Sequence, residues 1–480
     1  MQCFFRLFVA VGAIALILIS LARLEAARSE LNIIDTQLGE TPATLYNADG
    51  NGDRLVVVSH GFAGSRQMME AISLSLARAG HSVVAFDYLG HGRHEKPLSP
   101  NITSLTGTTE DLVRQTVDVV DRARALTGHE RLALVGHSMA TDVIVRAASR
   151  VQSVEEVVAI SMYSEAVTPD HPERLLVLSG AQEGRLRSVA LSAVEQLGKA
   201  EEGVTLRKDG VERRAAVAPM VGHVGVLWSP VTIQEILRWI GEEGEPARTG
   251  RWIAALLGAI FALFWPLSHL LPDGPSQPGP SLRRAILSVL IPAPFAILAS
   301  CIDLPMRGLS GFGALFLFFA IWGTVALAVL RWRPRVEVRP ALISFVLLVV
   351  WGLGAFALSL DRYGAAFLPT GPRLPLMMLL LPATLIFALA DRACVQGRHP
   401  LTRVALRLPF LLALSGAMML NIADIGLLFT VLPVFVLFLV VYGTMARWAE
   451  DKAGPLGPAV ASGLILAWSI AASTPLFAAA

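Results

Sequence analysis

The chain has little cysteine and little charge for its length. Its three cysteines, Cys3, Cys301 and Cys394, all lie in or beside long apolar runs, which leaves no disulfide framework and no thiolate metal site. Charged residues make up 16% of the 480 positions against 54% hydrophobic, and the mean hydropathy is +0.57. So apolar a composition excludes an ordinary soluble protein of this size and assigns much of the chain to lipid. The net charge of +2 is too small, and the basic residues too closely tied to the ends of apolar runs, for nucleic-acid binding. No metal or cofactor is expected, and nothing in the pattern fixes an oligomeric state.

What charge there is divides the chain. From about residue 25 to 245, mixed charges and turn residues alternate with strand and helix patterns, as in a soluble α/β domain. Beyond Trp252 the charges thin out and apolar runs of roughly 16–22 residues recur, long enough to cross a bilayer as helix. The expected organisation is a membrane anchor over 1–24, an α/β domain over 32–241, a linker over 242–251 and a multi-span domain of about eight helices over 252–480. The spans are placed at 4–22, 252–271, 285–302, 311–330, 341–360, 374–390, 406–421, 425–446 and 457–477. The first run also has the layout of a cleaved signal sequence, with Arg6 before it and Ala26 and Ala27 after it. Either version exports the domain.

Arginines set the orientation. With the amino terminus inside, the inner segments hold thirteen basic residues, among them Arg283, Arg331, Arg398, Arg403 and Arg447, against seven outside even when the flanks of the α/β domain are included. The positive-inside rule then puts that domain on the outer side, which for a bacterial inner membrane is the periplasm. Asp303, Asp361, Asp391 and Asp424 fall at span ends, where an interfacial carboxylate is ordinary, so no proton relay is read from them. Nor do the spans form the matched broken pairs of a transporter.

Within the α/β domain, Gly136-His137-Ser138-Met139-Ala140 follows the apolar run 131–135 and opens the helical stretch 141–147. A strand, a sharp turn and a helix in that order lift a serine hydroxyl above the edge of a sheet, and small residues must flank it. A serine here would also serve as a helix cap, so the pentapeptide alone leaves two readings. Upstream, the apolar run 54–59 enters His60-Gly61-Phe62-Ala63-Gly64. Acyl transfer needs two backbone N–H groups aimed at a developing oxyanion, and those of Phe62 and Met139 are the candidates. A further strand ends at Asp87 before Gly90-His91-Gly92.

His60-Gly61, Asp87 with Gly90-His91-Gly92, and Gly136-His137-Ser138 together resemble the α/β-hydrolase fold family, and within it the monoacylglycerol-lipase and serine-aminopeptidase-like hydrolases. The likeness covers roughly 32–240. It implies an α/β-hydrolase sheet domain joined to an all-α polytopic membrane domain, and a serine hydrolase acting through a triad in the chain order serine, acid, histidine. On that pattern the acid stands three residues after Gly180, which is Glu183, with Glu165 and Asp170 as weaker alternatives. His223, downstream of it and before a helix, is the base, while His60, His91 and His137 support loops. The expected substrate is an ester, of a lipid or another amphiphile, met beside membrane lipid.

Only Met162 through Arg174 separates the two strands between which many relatives insert a helical cap, too little to hold one. Either small substrates enter an open site, or the neighbouring membrane domain covers it, and an amphiphilic ester from the outer leaflet suits the second. A rival reading keeps the fold as a non-catalytic binding or sensor module of a transport system. Four complete site positions argue against it, since a dead fold has no chemical need of them.

Overall fold

A computed structural model describes residues 2–48, 54–101, 105–242, 244–276, 278–302 and 304–479. Asp303, read above as an interfacial carboxylate, lies outside them. The chain divides into two compact units, one of Leu18–Leu256 with Asp361–Ala366, the other of Met1–Ile17, Leu257–Leu360 and Phe367–Ala480.

The first unit is built on nine strands: β1 (Leu31–Leu38), β2 (Thr41–Ala48), β3 (Arg54–Ser59), β4 (Ser82–Phe86), β5 (Arg131–His137), β6 (Val154–Ile160), β7 (Arg174–Gly180), β8 (Thr205–Lys208) and β9 (Val211–Ala218). They form one sheet in the order β1-β2-β4-β3-β5-β6-β7-β9-β8. Neighbours from β4 through β9 run parallel, while β1–β2, β2–β4 and β8–β9 pair antiparallel. Parallel strands covered on both faces need continuous apolar runs, and β3 is buried along its whole length. The covering helices are α2 (Glu70–Arg78), α3 (Glu110–Thr127), α4 (Met139–Ala148), α5 (Gly184–Glu195) and α6 (Pro230–Ile240), after the amino-terminal α1 (Gln2–Ala26). Val58, Val135, Ile160 and Leu178 from the sheet share a buried cluster with Ile72 of α2 and Ile233, Ile236 and Leu237 of α6. Residues 161–173 between β6 and β7 contain no helix.

The second unit is helical: α7 (Thr249–Ser268), α8 (Leu282–Leu290), α9 (Pro292–Ala299), α10 (Phe312–Leu330), α11 (Val338–Val349), a π-helical stretch Val350–Ala357, α12 (Leu358–Tyr363), α13 (Arg373–Val395), α14 (Pro400–Leu420), α15 (Val431–Ala453) and α16 (Leu456–Ser473). Counting α1, nine helical segments among the described residues are long and apolar enough to cross a membrane. Their ends depart from the apolar windows. The segment expected from 425 starts at Val431 after a 3₁₀ turn Ile425–Leu428, which puts Pro433 in its first helical turn, where a missing N–H costs no hydrogen bond. Helices α13, α14 and α15 each run farther into charged residues than the windows predict. Asp391 there accepts both hydrogen bonds of Arg407 at 2.8 and 2.6 Å, and Arg392 lies 3.3 Å from Glu450. Asp391 is therefore no simple interfacial carboxylate.

Candidate active site

Ser138 stands between the last residue of β5 and the first of α4 at φ 54°, ψ −118°. A non-glycine residue at positive φ is strained, at a cost on the order of 1–3 kcal/mol. Close packing around the turn offsets that cost. A Cβ on Gly136 would lie 2.9 Å from Ile144 Cδ1 and 3.1 Å from the Ala140 carbonyl, so glycine lets α4 pack tightly against the end of the strand. On the other side, a Cβ on Gly61 would come within 2.9 Å of Ser138 Cβ, which sets the backbone before Phe62 directly against the nucleophile position.

His223, on the loop between β9 and α6, bridges two groups far apart in sequence. Its Nε2 is 2.8 Å from Ser138 Oγ and its Nδ1 is 2.6 Å from Glu183 Oε1. The other carboxylate oxygen of Glu183 accepts from the Gly180 N–H at 2.7 Å and the Ser161 hydroxyl at 2.8 Å. Burial alone would raise this carboxyl. The hydrogen bonds from His223, Gly180 and Ser161 outweigh it, and hold Glu183 below the ordinary carboxylate value. The alternative acids lie elsewhere: Asp170 is exposed and accepts from Thr168 at 2.7 Å, and Glu165 is exposed.

Ser161 is the participant that sequence reasoning missed. It follows β6 at φ 53°, and its N–H is tied to Leu178 of β7, so its hydroxyl lies beside the acid at the end of the next strand. Two apolar runs in parallel register, with a small hydroxyl residue ending the first, would have been the signal.

The histidines given to loops do hold loops. Burial pushes the His137 ring down to about 4, so it is neutral, and its Nε2 donates to the His223 carbonyl at 2.8 Å. His60 is buried and likewise shifted down by desolvation. It accepts the Tyr88 N–H on Nε2 at 3.1 Å and therefore donates from Nδ1 to the Gly61 carbonyl at 2.7 Å. His91 packs its ring edge to face with Phe62, 5.3 Å between centroids.

Beneath these loops, Asp87 at the end of β4 accepts from the Arg66 N–H at 2.8 Å and the Arg93 N–H at 3.0 Å, and pairs with the Arg66 guanidinium. Residues Asp361–Ala366 complete the unit from far along the chain. Asp361 lies 2.7 Å from Arg93, and the Ala366 N–H donates to Ser65 Oγ at 2.9 Å. The interfacial reading of Asp361 thus gives way to an ion pair whose partner is too distant in sequence for any local pattern to show. Met139 opens α4, so its N–H is among the first-turn donors that lack a partner within the helix. Among the described residues no three His, Cys, Asp or Glu side chains converge where a metal ion would sit.

Residues 54–203 match the family model described as the alpha/beta hydrolase fold. The amino-terminal part is accordingly an α/β-hydrolase sheet domain, followed by a carboxy-terminal region of many apolar helices. Among curated proteins, none matches the chain. Solved structures similar to it include a predicted CIB-like hydrolase from Thermoplasma acidophilum, at 15% identity over 43% of this chain and 94% of that one, with a TM-score of 0.33. A dienelactone hydrolase from Anabaena variabilis is 19% identical over 43% and 94%, with the same score. A hormone-sensitive lipase from a metagenome library is 15% identical over 50% and 98%, again at 0.33. The fold assignment rests on the family match and the sheet, and these likenesses add no argument to it.

Proposed function

We propose that the chain is a membrane-embedded serine hydrolase that cleaves a carboxylic ester through Ser138, His223 and Glu183. The observation that carries this reading is the single imidazole within 3 Å of both a strained serine hydroxyl and a buried, ionised carboxylate. A free serine hydroxyl is a weak nucleophile. As Ser138 Oγ bonds to the ester carbonyl carbon, its proton passes to His223 Nε2, and the electron pair of the C=O bond moves to oxygen. Glu183 holds the ring with Nδ1–H toward it and stabilises the imidazolium. The Phe62 and Met139 N–H groups would receive the oxyanion, each worth on the order of 3 kcal/mol in the transition state. The intermediate collapses, the alkoxide leaves with the proton from Nε2, and water repeats the cycle on the acyl-enzyme.

The His223 side chain is 45% exposed and residues 161–173 supply no cap, so the site is open to a bulky substrate. With apolar segments on both sides of the domain in sequence, an amphiphilic or lipid ester of the monoacylglycerol-lipase kind suits it best. The arginine distribution favours the outer face of the membrane for the domain. A fluorophosphonate probe applied to membranes holding the full chain should label the wild type and leave Ser138→Ala unlabelled. Equal labelling of the two would reject the nucleophile.

A further inference from the structure

Three helices of the second unit bring four guanidiniums and three carboxylates together at one end. Asp391 pairs with Arg407 and stands 3.6 Å from Arg392, Glu450 pairs with Arg392, and Asp451 stands 3.7 Å from Arg447. Each carboxylate of the group has an arginine within 4.0 Å, and the fourth arginine has no such contact. Arg403 on α14 is 8% exposed, and among the described residues its side chain makes one hydrogen bond, from Nε to the Arg398 carbonyl at 2.7 Å. Among the described residues it has no carboxylate within 4.0 Å.

Glu450 and Asp451 act on Arg403 only from beyond contact distance, and its guanidinium fork suits two oxygens of one phosphate or carboxylate. Arg403 lines a groove of about 310 Å³ between α14 and α15, which also holds Arg407 and Arg447 at the same end. Away from the arginines its walls turn apolar, with Leu408, Val436 and Val440 all exposed. Charge at one end and exposed aliphatic surface along the rest match one kind of occupant, with an anionic head and hydrocarbon tails.

The geometry points to this groove as a binding site for an anionic phospholipid, its phosphate on Arg403 with Arg447 beside it and its acyl chains along Leu408, Val436 and Val440. The phosphate supplies the fourth anion that the cluster lacks. Basic pockets between apolar helices suit anionic headgroups for this reason. The inference rests on reading these helices as membrane-spanning, and it is independent of the chemistry at Ser138.

The test uses the full chain, purified in detergent and titrated with dioleoylphosphatidylglycerol or dioleoylphosphatidylcholine, bound lipid being read by native mass spectrometry. The wild type should favour phosphatidylglycerol, and Arg403→Gln should weaken its binding about five- to tenfold, as expected for one arginine near an anionic headgroup. Arg403→Lys should recover part of the loss, and Arg283→Gln, a basic residue outside the groove, should change nothing. Val440→Trp keeps every charge but narrows the groove, and should also reduce binding. Should Arg403→Gln fail to fold, Val440→Trp decides alone. Equal losses in Arg403→Gln and Arg283→Gln, an unaffected Val440→Trp, or displacement of the lipid by millimolar inorganic phosphate would each overturn the site. Alkaline carbonate washing of the source membranes tests the spanning reading separately: a chain that stays in the pellet yet shows no preference overturns the groove only.

Discussion

Both units bury arginines against carboxylates, but the partners do different work. In the sheet unit, Asp87 accepts two backbone N–H groups as well as the Arg66 guanidinium, so the pair fixes the course of the loops that carry Phe62 and His91. In the helical unit, Arg407 on Asp391 and Arg392 on Glu450 join side chain to side chain across helices whose own N–H groups are already satisfied. At Asp87 the buried charge positions backbone beside the candidate site, whereas at Asp391 and Glu450 it fixes how helices pack, and that difference predicts which of these substitutions cost activity and which cost stability.

The sharpest break of that contrast lies at the site. His223→Ala should lower ester turnover by at least about 10³-fold with the melting temperature little changed, and Glu183→Gln by about 10²- to 10⁴-fold, while Asp170→Asn leaves turnover intact. Should Asp170→Asn prove the more damaging of the two acid replacements, Glu183 is not the acid. In the helical unit, Glu450→Gln leaves Arg392 without its glutamate and should destabilise the protein by about 3 kcal/mol, whereas Glu450→Leu combined with Arg392→Met should be close to neutral. Thermal melting in detergent compares them. A double variant no better than the single would mean that the pair does not set the packing.

The most gradual effect sharpens the comparison by pH. His137 titrates near 6.5 when unfolded and at about 4 in the fold, because burial disfavours its charged form. Between those values the unfolded chain binds the extra proton, so stability falls as pH drops from about 6.5 to about 4, by on the order of 3 kcal/mol in all. In His137→Gln this part of the acid sensitivity should vanish. A melting curve that still tracks the wild type from pH 7 to pH 4 would show that His137 carries none of it.

The parallel strands other than β9 were legible because burial on both faces demands runs such as 54–59 and 131–135, and the elbow because its strand, turn and helix are contiguous; β9 was not read, since Glu212, Arg213 and Arg214 interrupt its apolar run. The edge pairs were not: β1 is largely open to solvent and β8 partly so, which leaves no apolar run to read. The helix ends in the second unit were misjudged because their charged turns are stabilised by partners on other helices. Of the site, chain order and strand register picked out Glu183 and His223, which the structure brings into one hydrogen-bonded row. The role of Asp361 stayed hidden because its contact with Arg93 exists only in three dimensions, and that of Ser161 because its place at the end of β6 was not set against the acid at the end of β7.

That late contribution from residues 361–366 bears on how the molecule is made. Translation runs from the amino terminus at about 5–20 residues per second, so Ala366 appears roughly 6–25 s after Ile240 closes the last helix over the sheet. Through that interval Ser65 lacks the N–H it accepts and Arg93 lacks its carboxylate. A chain cut short between Ile240 and Asp361 therefore carries every strand of the sheet, with the loops around Phe62 still lacking their last two ties.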